Sequence, residues 1–78
     1  GYPYTITLTA AGWSNNTQNA AIANATATNS IVVSPIPANQ SAYSDACILC
    51  TAQAAGSITF VCDSVPATDI QVNVLVVD

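Results

Sequence analysis

Three cysteines are the residues of this 78-residue chain with the most evident capacity for chemistry. Cys50 and Cys62 flank a segment centred near Gly56, and in a β-hairpin they would lie almost opposite each other on one face. Cross-strand partners have Cβ atoms about 4.5–5.5 Å apart, so the spacing is compatible with a Cys50–Cys62 disulfide. Cys47 is three residues from Cys50, so in the same strand its side chain should face the opposite side. It is then either a free thiol or a residue that forms a disulfide bridge between subunits. The alternative is that all three are small buried hydrophobic residues.

Cys47 and Cys50 also form a C-x-x-C pair, but the chain lacks the groups that would activate it. A redox-active thiolate needs a cation or a helix N-terminus to lower the thiol pKa, and the sequence has no Lys, Arg or His. A structural zinc site needs four ligands, which three cysteines without a histidine do not supply. We therefore expect neither redox catalysis nor metal binding at these cysteines.

The four aspartates, Asp45, Asp63, Asp69 and Asp78, are the only side chains that are charged at neutral pH, and the net charge is −4. Their spacing matches no calcium-binding loop, and solvated turn residues are the simpler interpretation. Nucleophilic catalysis needs a general base beside a hydroxyl or thiol, and aspartate is the only such base here. The sequence therefore predicts that the protein is not an enzyme and has no catalytic residues, metal or cofactor.

Trp13 is the only tryptophan and follows Gly12 in a segment that an Asn pair marks as a turn. An aromatic ring can cover the apolar face of a sugar while nearby amides bond its hydroxyls, so a glycan-binding surface at Trp13 is one interpretation. Packing in the core or in a subunit interface is the other. Packing is the more common use of a lone tryptophan in a small domain.

The composition indicates a protein that works through its surface. Charged residues make up 5% of the chain, against about 25% in ordinary soluble domains. Without cationic side chains the chain has no positively charged surface that could bind nucleic acid or an anionic membrane, so we expect neither as a partner. Because 51% of so short a chain is apolar, a monomer would leave much apolar surface exposed, and we expect a homo-oligomer.

Alternation of period two dominates the sequence and predicts an all-β fold. Residues 4–9 set Tyr4, Ile6 and Leu8 on one face and threonines on the other, as in a strand that covers a core on one side. Further strands are predicted over residues 17–23, 30–34, 47–53, 57–62 and 70–77, with a loop or one helical turn over 39–45. The last strand is apolar on both faces in its second half, which indicates a central strand or one in a subunit interface. Six strands predict a single domain, residues 1–78, folded as a small antiparallel β-sandwich or open barrel.

Several segments of the chain resemble a small β-domain found in phage and prophage structural proteins of gut bacteria. The segments that carry this resemblance are residues 7–18, 27–29, 33–37, 42–46, 48–60 and 72–76, and together they extend over nearly the whole chain, from about Tyr4 to Val77. The resemblance implies a C-terminal or free-standing module of fibre, head-fibre or appendage type, and it implies no catalytic or metal-binding residue. The family pattern has glycine where Cys47 stands, and its strand around residues 19–22 is richer in β-branched residues.

Three classes of function are compatible with these observations. A bacteriophage structural protein at the virion surface, acting as a fibre, head-fibre or capsid-decorating domain, would bind copies of itself as a trimer, other virion proteins and a host-surface glycan. A subunit of a prokaryotic extracellular filament or surface adhesin would instead polymerise through its strand edges. A monomeric glycan-binding module would use Trp13. The first class is favoured, because it also agrees with the resemblance.

Overall fold

The computed structural model describes residues 1–77 of the chain. Within them it has six β-strands, one short α-helix and two 3₁₀ turns, at Ala10–Gly12 and Pro37–Asn39. In chain order the elements are β1 (Tyr2–Leu8), β2 (Thr17–Ala21), β3 (Ser30–Pro35), α1 (Gln40–Asp45), β4 (Leu49–Ala54), β5 (Ser57–Val61) and β6 (Ile70–Val77). All the predicted strands are present, and their ends differ from the predicted ones by at most two residues.

The strands form two three-stranded antiparallel sheets. Sheet A has the order β1-β6-β3, and sheet B has the order β2-β5-β4. Apart from the β4–β5 hairpin, every connection between consecutive strands crosses from one sheet to the other. The two sheets pack face to face and remain separate, so the predicted all-β fold is confirmed in its sandwich form rather than as an open barrel.

Sheet A supplies about half of the core through strict alternation. In β6 the residues Ile70, Val72, Val74 and Val76 are buried, and every residue between them is exposed. The prediction for β1 is also confirmed, because its inward positions are packed against the core and its threonines are exposed, with Leu8 fully buried. The period of two thus determines which face of each strand meets the other sheet.

Sheet B covers this surface from the other side. The inward residues of its central strand, β5, are Ile58 and Phe60, and both are completely buried. Ile22, which follows β2, is equally buried, and its backbone N–H donates to the carbonyl oxygen of Gly56 at 3.0 Å. None of the buried residues within 1–77 is polar or charged, so this is an apolar core without ion pairs.

The β4–β5 hairpin closes through a two-residue turn. Ala54 pairs with Ser57, and between them Gly56 has a φ of +76°. Tight hairpin turns need such a positive φ, which glycine adopts without steric cost.

The register of this hairpin differs from the one the sequence predicts. The two-residue turn sets Ala54 opposite Ser57, a register that by itself would place Cys50 opposite Val61 rather than Cys62. A β-bulge between Cys50 and Ala52 shifts the pairing by one more residue, so that Cys50 lies opposite Phe60. The predicted alignment of Cys50 with Cys62 is therefore wrong. All three cysteines of the chain are free thiols in this structure.

Helix α1 ends in a Schellman motif in which Cys47 holds the position that glycine usually takes. The N–H of Cys47 donates to the carbonyl of Ser44 at 3.0 Å, and the N–H of Ile48 donates to the carbonyl of Tyr43 at 3.2 Å. The φ of Cys47 is +54°, in the left-handed region, where a Cβ costs roughly 1–2 kcal/mol. The glycine of the resembled family is the residue that this turn favours.

The two lateral sides of the sandwich, where the outer strands of one sheet lie beside those of the other, differ in the contacts between the sheets. On the β1–β2 side, the Gln18 amide donates to the carbonyl of Thr9 at 3.1 Å and accepts the N–H of the same residue at 3.0 Å. Gly12 leaves room for this contact, because a Cβ there would lie 2.5 Å from Thr9 Oγ1 and 2.7 Å from Gln18 Oε1. Further along, the Tyr4 hydroxyl bonds to Asn24. On this side, side-chain amides of Gln18 and Asn24 therefore connect the segment around β2 to the segment around β1.

On the β3–β4 side, one side chain ties sheet B to the loop that leads into sheet A. The Gln53 Nε2 group donates to the carbonyl of Asn29 at 2.7 Å and to the carbonyl of Thr26 at 2.8 Å. Because this contact lies at one end of the two strands and α1 lies at the other, the space between β3 and β4 stays open.

Candidate functional site

The three cysteines differ in their exposure to solvent. Cys47 and Cys50 are exposed, and Cys62 is buried. Burial raises the pKa of the Cys62 thiol, and the adjacent Asp63 carboxylate raises it further. Although Cys50 is exposed in part, desolvation of its thiol by the surrounding chain raises the pKa of this group as well. A raised pKa keeps a thiol protonated at neutral pH, whereas a nucleophilic or metal-binding cysteine needs its thiolate form.

Three of the four aspartates lie at one end of the sandwich, which we call the acidic end: Asp45 ends α1, Asp63 follows β5 and Asp69 precedes β6. Asp69 Oδ1 accepts the backbone N–H of Ala10 at 2.8 Å, so this carboxylate holds the first 3₁₀ turn. Within residues 1–77, no three His, Cys, Asp or Glu side chains are close enough to share a metal ion. Asp78 lies outside the described residues.

Trp13 is half-buried and packs against the core beside the first 3₁₀ turn. Its Nε1 atom is buried and has no hydrogen-bond partner within the described residues. The glycan and interface roles predicted for Trp13 both depend on the part of the indole that the core leaves exposed. The structure supplies packing as one role for this side chain.

A groove of about 640 Å³, lined by apolar side chains and by polar groups, opens between β3 and β4, and we call it the β3–β4 groove. Its apolar lining comes from both sheets and from α1: Ile31, Val33, Tyr43, Ile48, Leu49 and Cys50. None of the described residues that line it is charged at neutral pH. The described lining of the groove therefore offers a contact area without charged side chains.

The outer strands of the two sheets are not equally protected. Pro3 in β1 and Pro35 in β3 remove backbone donors from two of the outer strands. Strands β2 and β4 have neither a proline nor a charged residue, and β4 is the more exposed of the two, with five of its six residues exposed against two of five in β2. Prolines and charges are the usual protection against edge-to-edge pairing, so β4 is the edge most open to another strand.

A second apolar surface lies on the outer face of sheet A. The register sets Pro3, Leu75 and Val32 in one row across the three strands, and Val77 lies in the next row beside Ser30. The exposed fractions are 58% for Val32, 42% for Val77 and 40% for Leu75. A contiguous group of exposed large apolar side chains on a small domain usually indicates an interface.

Sequence reasoning found part of this surface. The apolar residues on both faces of the second half of β6 identify Leu75 and Val77, and β6 is confirmed as a central strand. Pro3 and Val32 are missed, because only the register brings them beside Leu75. The sequence did contain a signal for Val32. Residues 31–33 are all apolar, so the outward residue of this strand is apolar as well as its two inward neighbours.

Among residues 1–77, no helix has the length and apolar character needed to span a bilayer. The chain matches no protein-family model, and no curated protein or solved structure is significantly similar to it. Its function is therefore inferred from its own residues and geometry, in which exposed apolar surface on a charge-poor β-sandwich is the leading feature.

Proposed function

We propose that this chain is a bacteriophage structural protein, a fibre, head-fibre or capsid-decorating domain at the virion surface. It acts by binding copies of itself, as a homotrimer, and by attaching to other virion proteins, and a host-surface glycan is a further partner. No catalytic step, cofactor, nucleic acid or membrane takes part in this function.

The observation that supports this proposal is the exposed, uncharged apolar surface on the outer face of sheet A. Val32, Leu75 and Val77 project from it, although the same sequence buries apolar residues efficiently on the inner faces. A domain of this size gains only roughly 3–5 kcal/mol from its own core, so contact with further copies is a natural source of added stability. The resemblance of residues 4–77 to a phage β-domain supplies the setting.

Self-association is the part of this proposal that is tested first. The chain is analysed by size-exclusion chromatography with light scattering over a range of micromolar concentrations. We expect a discrete oligomer of three copies. A species that stays at 7.9 kDa over this range would contradict the proposal. Immunogold electron microscopy of the particle that carries the chain then tests the assignment to a virion surface, and labelling of a non-viral structure would overturn it.

A second function, as a subunit of a prokaryotic extracellular filament or adhesin, is favoured by a different observation. The β4 edge is unprotected and opens into the β3–β4 groove, so an extended segment of a neighbouring subunit could add to sheet B there. A head-to-tail contact of this kind does not close and produces a fibre. Open polymers of increasing length in the same light-scattering experiment would select this function over the first.

A further inference from the structure

We propose that copies of this chain dock through the outer face of sheet A around a rotation axis that runs parallel to β6. This inference rests on the self-association proposed above and specifies the surface and the symmetry that produce it.

The outward positions of sheet A are arranged in rows that cross the strands. From the end of β6 towards its start, the rows are Val77 with Ser30, then Leu75 with Pro3 and Val32, then Asn73 with Thr5 and Ser34, then Gln71 with Thr7. The first two rows are largely apolar, and the other two are uncharged with an amide on the central strand. The face is therefore divided along β6 into an apolar half and an amide half.

This division determines which orientation of a second copy is self-complementary. A rotation axis parallel to β6 brings each row to the same height as the same row of the next copy. Leu75 then meets Leu75 of the neighbour, and Asn73 meets its own counterpart. An amide both donates and accepts hydrogen bonds, so it can pair with another amide. In an antiparallel arrangement centred on the face, apolar rows would lie on amide rows and leave buried amides without partners.

The distribution of charge identifies a second copy as the occupant of this face. No charged residue lies on any row of the outer face of sheet A, and the described carboxylates lie in segments beyond the strands, at the acidic end. A partner that carried charges would have to bury them here unpaired, which is strongly unfavourable. A copy of the same face brings no charged side chain on any of these rows.

The area of the face sets the strength of the association. Three strands, with eight residues in β6, give a face of roughly 14 × 26 Å, or about 370 Å² in projection. Each partner in a standard stable interface buries about 800 Å². We therefore expect assembly that depends on concentration in the micromolar range, rather than a permanent complex.

A matched pair of leucine variants tests the surface. Leu75→Asn removes the central apolar side chain of the outer face of sheet A, and Leu49→Asn makes the same change in sheet B, in the lining of the β3–β4 groove where the alternative contact between subunits would form. Leu49 is 61% exposed, so it is the more accessible of the two. The dissociation constant of the oligomer, measured by sedimentation, should rise at least about tenfold for Leu75→Asn and stay within about twofold for Leu49→Asn.

A matched pair of isosteric variants tests the row-on-row pairing without changing the shape of either sheet. Asn73→Asp keeps the Oδ1 atom that accepts the Thr5 hydroxyl at 3.2 Å, and it replaces the amide NH₂ with charge on every copy. Asn19→Asp does the same in sheet B, where Oδ1 accepts the Thr59 hydroxyl at 2.7 Å. We expect Asn73→Asp alone to disperse the oligomer above about pH 5, where the new carboxylate is ionised. Thermal melting of each variant confirms that it is folded.

The outcomes separate this inference from the proposed function. Dispersal by Leu75→Asn and Asn73→Asp, with both sheet B variants assembled, supports it. An oligomer that is dispersed by Leu49→Asn or Asn19→Asp instead overturns this docking surface and leaves self-association standing. Assembly that survives all four changes also overturns it. A wild-type chain that remains monomeric at every concentration overturns the proposed self-association as well.

Discussion

The outer faces of the two sheets differ in the size of their side chains and not in their charge. Sheet A presents the large apolar residues Val32, Leu75 and Val77 in adjacent rows. Sheet B presents small or polar residues at most of the corresponding positions, among them Ala52 and Thr59, and its one large exposed residue, Leu49, lies on an edge strand. Neither face carries a charged residue in the part of the chain that the structure describes.

This difference shows how a chain without cations can make the outer face of one sheet more polar than that of the other. Most proteins mark a solvated face with Lys and Glu, which this sequence lacks. Short side chains and hydroxyls serve that purpose on sheet B, because they expose little apolar area. On sheet A, large aliphatic residues leave a contiguous apolar area in contact with water. The predictions below separate the core that the sheets share from the surfaces in which they differ.

The largest expected effect concerns the shared core. Phe60→Ala removes the largest fully buried side chain, on the inner face of sheet B, and should cost about 3–5 kcal/mol of unfolding free energy. That is close to the whole stability expected of a domain of this size, so the variant should be largely unfolded. Urea denaturation followed by circular dichroism measures it. Thr59→Ala, one residue away on the outer face, is the control and should cost under about 1 kcal/mol. Equal losses would contradict the assignment of faces.

The next effect concerns the contact that closes one end of the β3–β4 groove. Gln53→Ala removes two hydrogen bonds, to the carbonyls of Thr26 and Asn29, and should lower the unfolding free energy by about 1–3 kcal/mol. Hydrogen exchange of the loop over residues 23–29 should increase with it. Gln40→Ala, which removes an exposed side-chain bond to Ser44, is the matched control. If both variants are equally stable, the Gln53 contact does not hold the two sheets together on this side.

A smaller effect of opposite sign is expected at the turn that leads into sheet B. Cys47→Gly should raise the unfolding free energy by about 1 kcal/mol, because the φ of +54° no longer opposes a Cβ. Cys47→Ala removes the thiol but keeps the Cβ, so it should give no such gain. A gain with alanine as large as that with glycine would show that the thiol, and not the backbone, is the source of the cost.

The smallest effect is the response of the unfolding free energy to pH. It should arise from Tyr43 in α1, Cys50 in β4 and Cys62, which follows β5. Burial raises the pKa of Cys62, of Cys50 and of Tyr43 above their ordinary values, so each group favours its protonated form in the folded chain. Their contribution is fully present below the unfolded-state pKa values and is lost as pH rises through the folded-state ones. Stability should be constant between about pH 5 and 8 and should decline above roughly pH 9.

Urea denaturation at a series of pH values measures this response. The Cys62→Ala variant should show a weaker decline at alkaline pH than the wild type, whatever its stability at pH 7. A marked change between about pH 5 and 8 would instead reveal a buried ionisable group in the neutral range, which the structure does not contain among its described residues.

Much of the fold could be predicted from the sequence, because the alternation of side chains is a local property. Strand β6 is found at its predicted bounds, and the inward face of β1 follows from its alternation. The cysteine pairing could not be predicted in the same way. The exact turn and the bulge between Cys50 and Ala52 each move the pairing by one residue, and the alternation of side chains indicates neither shift.

The amino-acid sequence by itself determined the class of this protein: the absence of cations and histidine, the alternation of period two and the excess of apolar residues are properties of composition and order. The tertiary structure decided which exposed apolar residues become neighbours. Val32 and Pro3 are far from Leu75 along the chain, and only antiparallel pairing on both sides of β6 sets them in one row. The physical reason is that strand register is a long-range property, fixed by the packing of whole faces against a common core.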